Sequence, residues 1–186
     1  MLDWQQAQFD RVVSDMFGYH ALQVGLPHID TLRHNRMPHR WLAQAEFEWP
    51  LSPMAPPNLT ATHDELSAKP GAVIRSEAVP GAGVGAPDLW LDSRAWPWQA
   101  DSLDLVVLPH TLERSADPHA CLREVERVLI PEGQVLITGL NPMSLWGWRG
   151  SSLIAYRRLR DWLRLLGFEV QVSRFGGWTP ALGSER

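Results

Sequence analysis

Five positions where apolar segments of the sequence end define the chemistry that this chain could perform: Gly25, Glu46, Asp92, His110 and Asn141. Carboxylates such as Asp92 and Glu46 accept hydrogen bonds from amino and hydroxyl groups. The imidazole of His110 is a candidate proton acceptor near neutral pH. Gly25 would let a ligand approach the backbone closely, because glycine has no side chain to collide with it. Together these residue types predict a ligand-binding crevice.

Other kinds of site have no support in the sequence. The 7 histidines are scattered, so we predict no metal site, and a P-loop and a Gly-X-Ser-X-Gly nucleophile elbow are absent. The single cysteine, Cys121, falls on the apolar face of a predicted helix and is expected to be a buried small hydrophobe. We assign no catalytic residue, and a structural role for His110 stays open beside that of proton acceptor.

The elements that position these residues follow from apolar periodicity, caps and breakers. A helix is predicted over 3–17 with Gly18 at its end, a second from Asp117-Pro118 to Pro131, and a third from Ser151 or Ser152 to Gly167. Predicted strands cover 21–25, 39–46, 72–78, 89–92, 103–108, 134–140 and 168–173. The segment 50–87 is rich in Pro and Gly, which predicts irregular structure.

Strands alternating with helices at these spacings predict an α/β doubly wound fold with a mostly parallel sheet. In such sheets ligands bind outside the carboxyl ends of the strands, near the point where the strand order reverses. The five positions named above are therefore expected to share one edge of the sheet.

Composition restricts the class of protein further. The chain has 186 residues, which suits a single domain over 1–186. Its formal net charge of −4 gives no reason to expect nucleic-acid binding. No apolar run is long enough to span a membrane and the N-terminus does not resemble a secretory signal, so a cytoplasmic protein is expected. The 10 tryptophans are expected mainly in core and rim packing.

Residues 92–133 resemble the central block of class I S-adenosylmethionine-dependent methyltransferases, of the type that includes quinone-biosynthesis enzymes. The matching positions are Asp92, Pro97, Ser102, Asp104, Val106, His110, Leu112, Glu113, Asp117, Pro118, Glu124, Arg127, Val128, Leu129, Pro131 and Gly133. They fall in register without a gap, and a looser likeness covers residues 20–174. The best-matched half is 88–174.

The resemblance implies S-adenosylmethionine as cofactor, a Rossmann-like fold and methyl transfer to an acceptor, which could be a small molecule. Asp92 would accept a hydrogen bond from the adenine amino group, and Glu46, with Glu48 as a competing position, would hold the ribose hydroxyls. Ser93, Pro109 and His110 would line the cofactor pocket. Gly25 stands at the first glycine of the family's glycine-rich turn.

The chain departs from the family at that turn and at its C-terminal end. Pro27 and Ile29 replace the other two glycines, and Gln23 replaces the usual acidic residue. No apolar segment follows Phe175, so either the last strand of the family sheet is missing or the sequence is part of a longer protein. An open sheet edge would favour self-association. Two functions stay open: a methyltransferase, or an inactive methyltransferase-like binding or regulatory module that has lost cofactor binding.

Overall fold

A computed structural model describes residues 2–45, 74–75, 87–92, 94–140 and 153–176 of the chain. The elements in chain order are α1 (Leu2–Val13), β1 (His20–Val24), β2 (His39–Ala45), β3 (Ile74–Arg75), β4 (Leu89–Leu91), β5 (Leu103–Pro109), α2 (Thr111–Arg114), α3 (Pro118–Val128), β6 (Leu129–Thr138) and α4 (Tyr156–Leu165).

The strands form one sheet with the order β3-β4-β2-β1-β5-β6. Five strands are parallel, and the two-residue β3 pairs antiparallel with β4 at the edge. The chain moves outward from β1 through β2 to β4, and then returns to place β5 on the other side of β1. This order confirms the doubly wound α/β fold and locates the reversal between β1 and β5.

Both faces of the sheet are covered, which explains why β5 is an almost continuous apolar run. One face packs against α3 through Cys121, Leu122 and Val125, and α4 adds Leu163. The other face packs against Phe9 and Val13 of α1.

The connection between β1 and β2 consists of turns and contains no helix over residues 25–38. It still covers the sheet, because Ile29, Leu32 and Met37 are buried against α1 and β5. Asn35 fastens the connection to the end of α1 by donating to the carbonyl of Val13 at 3.0 Å. A segment of turns therefore occupies the place where a crossover helix commonly lies.

The N-terminal helix is shorter than the sequence predicts. It ends at Val13 rather than 17, so the prediction that Gly18 ends the helix is wrong. Gly18 instead lies against β5, where a Cβ would come within 2.5 Å of Asp104. The Asp104 carboxylate accepts hydrogen bonds from the backbone N–H groups of Tyr19 (3.0 Å) and His20 (2.9 Å). Asp104 thus has the structural role expected at the amino end of its strand.

Elements in the second half of the chain agree with the sequence at some boundaries and differ at others. Asp117 caps α3 by accepting from Ala120 N at 2.9 Å, with Pro118 as the first helical residue, as predicted. The helix ends at Val128 and β6 begins at Leu129, earlier than the predicted 134. The third predicted helix corresponds to α4, which starts at Tyr156 after Ala155. The residues predicted to cap it, Ser151 and Ser152, lie outside the described residues.

The strand predicted over 168–173 is wrong. Phe168 and Val170 do pack against the core, which accounts for the alternating pattern, but the segment forms no strand. Within the described ranges, β6 is the last strand and pairs only with β5. The two-residue β3 is the described part of the predicted strand 72–78.

The tryptophans and the cysteine lie where apolar packing needs them. Trp41, Trp96 and Trp98 belong to or pack against the larger core cluster, as expected. Cys121 is 1% exposed, and its burial raises the pKa of the thiol to about 12. Across the described ranges, no helix is both long and apolar enough to cross a membrane.

Candidate functional site

The candidate site lies at the carboxyl ends of the adjacent strands β1 and β5. These strands pair in parallel from Ala21 opposite Leu105 to Gln23 opposite Val107, so both end at the same edge. Gly25 follows β1, Pro109 ends β5, and His110 follows it. The structure therefore brings together three of the residues that the sequence predicts.

Gly25 is held where a larger residue would not fit. Its φ is +90°, and a Cβ there would lie 3.0 Å from the Thr111 hydroxyl oxygen and 3.8 Å from the Pro109 carbonyl oxygen. Its N–H donates to the carbonyl of Ala43 in β2 at 2.7 Å. Glycine is needed both for this backbone conformation and for the close approach to the end of β5.

Gln23 organises the turn that follows β1. Its side-chain amide nitrogen donates to the carbonyls of Gly25 (3.2 Å), Leu26 (3.2 Å) and Ile29 (2.6 Å). Its oxygen accepts from the N–H (2.9 Å) and hydroxyl (2.6 Å) of Thr31. An ionised carboxylate is an acceptor only and could not donate to those carbonyls. A glutamine at this position therefore makes contacts that the acidic residue expected from the resemblance could not make when ionised.

His110 is fixed at both ring nitrogens. It has a φ of +53° just before α2, and its side chain is 12% exposed. Its Nδ1 lies 3.0 Å from Glu113 Oε2, and its Nε2 lies 2.8 Å from the amide nitrogen of Gln5 in α1. The other Glu113 oxygen accepts a short hydrogen bond from Leu140 N. The network joins α1, α2 and the end of β6 at the crevice.

Sequence reasoning missed three of the residues that build this corner. Thr111, 1% exposed, donates a short hydrogen bond to the carbonyl of Val24 and so fastens α2 to β1. Glu113 stands three residues after His110, a spacing that places both on the same side of a helical turn and could have been noticed. Gln5 is 105 residues away from His110 in sequence, and no local signal links them.

Asp92 ends β4, separated from β1 by β2. One carboxylate oxygen accepts from Arg94 N at 2.8 Å, and a bridge to Ala95 closes the turn. The side chain is exposed, so it could also accept a hydrogen bond from a ligand. Glu46, Ser93 and Asn141 lie outside the described residues.

Two residues of α3 hold the segment after Asp92 in place through hydrogen bonds. Trp96 N donates to Glu124 at 2.8 Å, and Arg127 donates to the carbonyls of Trp96 (3.0 Å) and Trp98 (2.9 Å). Burial raises the pKa of Glu124, but the hydrogen bonds from Arg127 and Trp96 outweigh it and hold the pKa below its ordinary value. This pair fixes the segment that leads from Asp92 to β5.

A separate cleft of about 60 Å³ lies at the opposite, amino end of β5, between Met16, Met37 and Gly133. It is too small for a nucleoside and far from the residues predicted to bind one. Among the side chains that the structure describes, no group of three or more His, Cys, Asp or Glu is arranged to hold a metal ion.

Comparison with known proteins agrees with this architecture. Residues 80–137, from before β4 to near the end of β6, match the sequence family described as the methyltransferase domain. Over 92 residues the chain is 41% identical to the uncharacterized protein YafS of Escherichia coli (strain K12). That match covers 42% of this chain and 38% of YafS, so the chain spans well under two thirds of that relative.

Two solved structures show the same fold over most of the chain. An S-adenosylmethionine-dependent methyltransferase of Thermotoga maritima, described as a possible histamine N-methyltransferase, has a TM-score of 0.57 at 14% identity over 91% of this chain and 73% of its own. Phosphoethanolamine N-methyltransferase 2 of Haemonchus contortus, in complex with S-adenosyl-L-methionine, has a TM-score of 0.53 at 14% identity over 88% of this chain and 36% of its own. The resemblance to class I methyltransferases is thus confirmed: the chain has their fold, and its central segment matches the methyltransferase domain family. The quinone-biosynthesis type stays a prediction.

Proposed function

We propose that this chain is an S-adenosylmethionine-dependent methyltransferase. The observation that carries the proposal is that the family-matched segment, 80–137, contains β5, whose carboxyl end lies beside that of β1 where the strand order reverses. Ligands of doubly wound sheets bind at that position. Because one fold serves many activities, the proposal depends on the residues of the crevice and not on the fold alone.

The described residues fit the cofactor that this function requires. Gly25 has no side chain and stands at the edge of the sheet where β1 and β5 end, and we assign it to the amino-acid part of the cofactor. Asp92 presents an exposed carboxylate for the adenine amino group. Pro109 and His110 line the crevice beside Gly25, and we assign the ribose hydroxyls to Glu46 and a pocket-lining role to Ser93.

The cofactor supplies, when bound, a methyl group on a positively charged sulfur. The chain's own contribution is to hold the acceptor in line with that methyl group and to exclude water, because positioning supplies much of the rate of such transfers. No step of this kind needs a nucleophile on the protein.

We further propose a small-molecule acceptor in the cytoplasm, with no nucleic-acid or membrane partner. The formal net charge of −4 supports the absence of a nucleic-acid partner. Self-association through the edge of β6 is part of the proposal, because β6 pairs only with β5 among the described residues and an open strand edge favours pairing with another chain.

Calorimetric titration with S-adenosylhomocysteine, the demethylated product, tests the proposed function. We expect saturable binding in about the micromolar range, at least about tenfold weaker in Asp92→Ala, since a hydrogen bond to a charged group contributes about 1.5–3 kcal/mol.

Asp161→Ala, which removes an exposed carboxylate on α4, serves as the matched control and should bind as the wild type does. Absence of binding to folded wild-type protein would contradict the proposal. It would favour instead the inactive binding module, the alternative left open by Pro27 and Ile29 in place of the family's glycines.

A further inference from the structure

The groups around the His110 imidazole favour one tautomer of the neutral ring. Glu113 Oε2, at 3.0 Å from Nδ1, belongs to a carboxylate that also accepts from Leu140 N. Because an ionised carboxylate only accepts hydrogen bonds, the proton of the neutral ring must lie on Nδ1. Nε2 then carries a lone pair that is directed away from Glu113.

That lone pair is covered by a hydrogen-bond donor from another element. The side-chain amide nitrogen of Gln5 lies 2.8 Å from Nε2, while its oxygen lies 3.2 Å away. Gln5 is 5% exposed, and the side chains of His110 and Glu113 are 12% and 10% exposed. Nε2 is therefore kept nearly out of water beyond the carboxyl end of β5, with the side-chain amide of Gln5 against it.

We infer that His110 is the proton-accepting residue for the methyl acceptor, and that Gln5 occupies the place of the acceptor's own N–H or O–H group. This inference rests on the proposed function. Glu113 and Gln5 are positioning residues: the first fixes the tautomer, and the second covers Nε2 until an acceptor replaces it. The substrate class is an acceptor whose nucleophilic atom is a hydroxyl or amine that must lose a proton, in contrast to a thioether or a carboxylate.

The bonds and charges of the step balance. As the acceptor atom bonds to the methyl carbon, its N–H or O–H bond breaks and the proton moves to Nε2 of His110. The electron pair of that bond stays on the acceptor atom, and the pair of the broken carbon–sulfur bond stays on the sulfur of the donor. His110 becomes an imidazolium, which the adjacent Glu113 carboxylate stabilises.

Nitrogen NMR of the full chain labelled at histidine tests the tautomer at neutral pH. We expect wild-type His110 as the Nδ1–H tautomer. In Glu113→Gln an amide N–H group can donate to Nδ1, so the ring should change to the Nε2–H tautomer. Glu126→Gln, which alters an exposed carboxylate on α3, should leave the wild-type spectrum.

Acylation by diethyl pyrocarbonate, which reacts with an unprotonated imidazole nitrogen, tests whether Gln5 shields Nε2 of His110. In Gln5→Ala the rate at His110 should rise about fivefold, the factor that corresponds to one net hydrogen bond. Adding Glu113→Gln to that variant should return the rate towards the wild-type value, because Nε2 is then protonated. Gln6→Ala loosens the same helix at its contacts with Asp10 and Asp30 and should leave the His110 rate unchanged.

The outcomes separate the two proposals. An Nε2–H tautomer in the wild type, or an unchanged His110 rate in Gln5→Ala, would overturn this inference even if S-adenosylhomocysteine binds. Failure of S-adenosylhomocysteine to bind the wild type would overturn the proposed function, and the role of His110 towards an acceptor with it.

Discussion

Gln23 shows how a single side chain sets the shape of the turn beside the candidate site. It is 2% exposed and serves both as donor to three carbonyls and as acceptor for Thr31. Buried carbonyls that lose their donor carry a desolvation cost. The turn after β1 therefore depends on an amide at this position.

Gln23→Glu should lower the free energy of unfolding by about 3 kcal/mol at neutral pH, because a buried carboxylate would face three carbonyl oxygens. Urea unfolding measures the change, and Gln134→Glu, at an exposed position of β6, is the control. Burial should raise the pKa of the new carboxyl above its unfolded value. The loss should therefore shrink as the pH falls through that raised pKa towards the unfolded value, and an unchanged free energy at neutral pH would contradict this account.

The sequence was informative for residues whose role depends on their place in a strand. Gly25, Pro109 and His110 stand directly at strand ends, and the parallel pairing of β1 and β5 brings them together as expected. Gln5 and Thr111 could not be found in this way, because their partners are fixed by tertiary packing across the chain.

At the scale of elements, the pair Glu124 and Arg127 fastens the segment after β4 to α3. The two residues are one helical turn apart, with Arg127 Nη2 2.7 Å from Glu124 Oε2. Glu124 also accepts a hydrogen bond from the backbone N–H of Trp96, and Arg127 donates to the carbonyls of Trp96 and Trp98. The position of Asp92 thus depends on a polar clamp on a neighbouring helix.

Glu124→Gln should lower the free energy of unfolding by about 2 kcal/mol at pH 7, the value of a hydrogen-bonded charged group. The folded-state pKa of Glu124 lies below its unfolded value of 4.5, so its contribution is complete above that value and is lost as the pH falls through the folded pKa. The difference between variant and wild type should therefore narrow in acid. Urea unfolding at neutral and acid pH checks this, and a difference that stays constant with pH would contradict it.

Local signals predicted some element boundaries and failed at others for physical reasons. The N-terminal cap of α3 is local, since Asp117 accepts a hydrogen bond from Ala120 N of the same helix and Pro118 is its first residue. This cap was predicted correctly. A strand needs a partner as well as an alternating pattern, and 168–173 has the pattern alone. Helix α1 ends before Gly18, which lies instead against Asp104, a residue remote in sequence.

At the scale of the whole molecule, the spacing of strands and helices was sufficient to predict the doubly wound sheet. It could not show that turns cover the sheet between β1 and β2, because Ile29, Leu32 and Met37 lack any regular period. The same packing places α1 so that Gln5 reaches His110. The candidate site is consequently built from two parts of the chain. Helix α1, at its start, contributes Gln5, and the paired strands β1 and β5 contribute the residues at their carboxyl ends.

Backbone amide NMR of the 21.0 kDa chain during titration with S-adenosylhomocysteine tests the central claim most directly, because it locates the ligand. We predict saturable shifts at Gly25 and Leu26 after β1, at Asp92 after β4, and at His110 after β5. Amides at the opposite end of β5, around Asp104 and Gly133, should stay unshifted. Shifts confined to that opposite end, or none at a saturating concentration, would contradict the assignment of the crevice as a cofactor site.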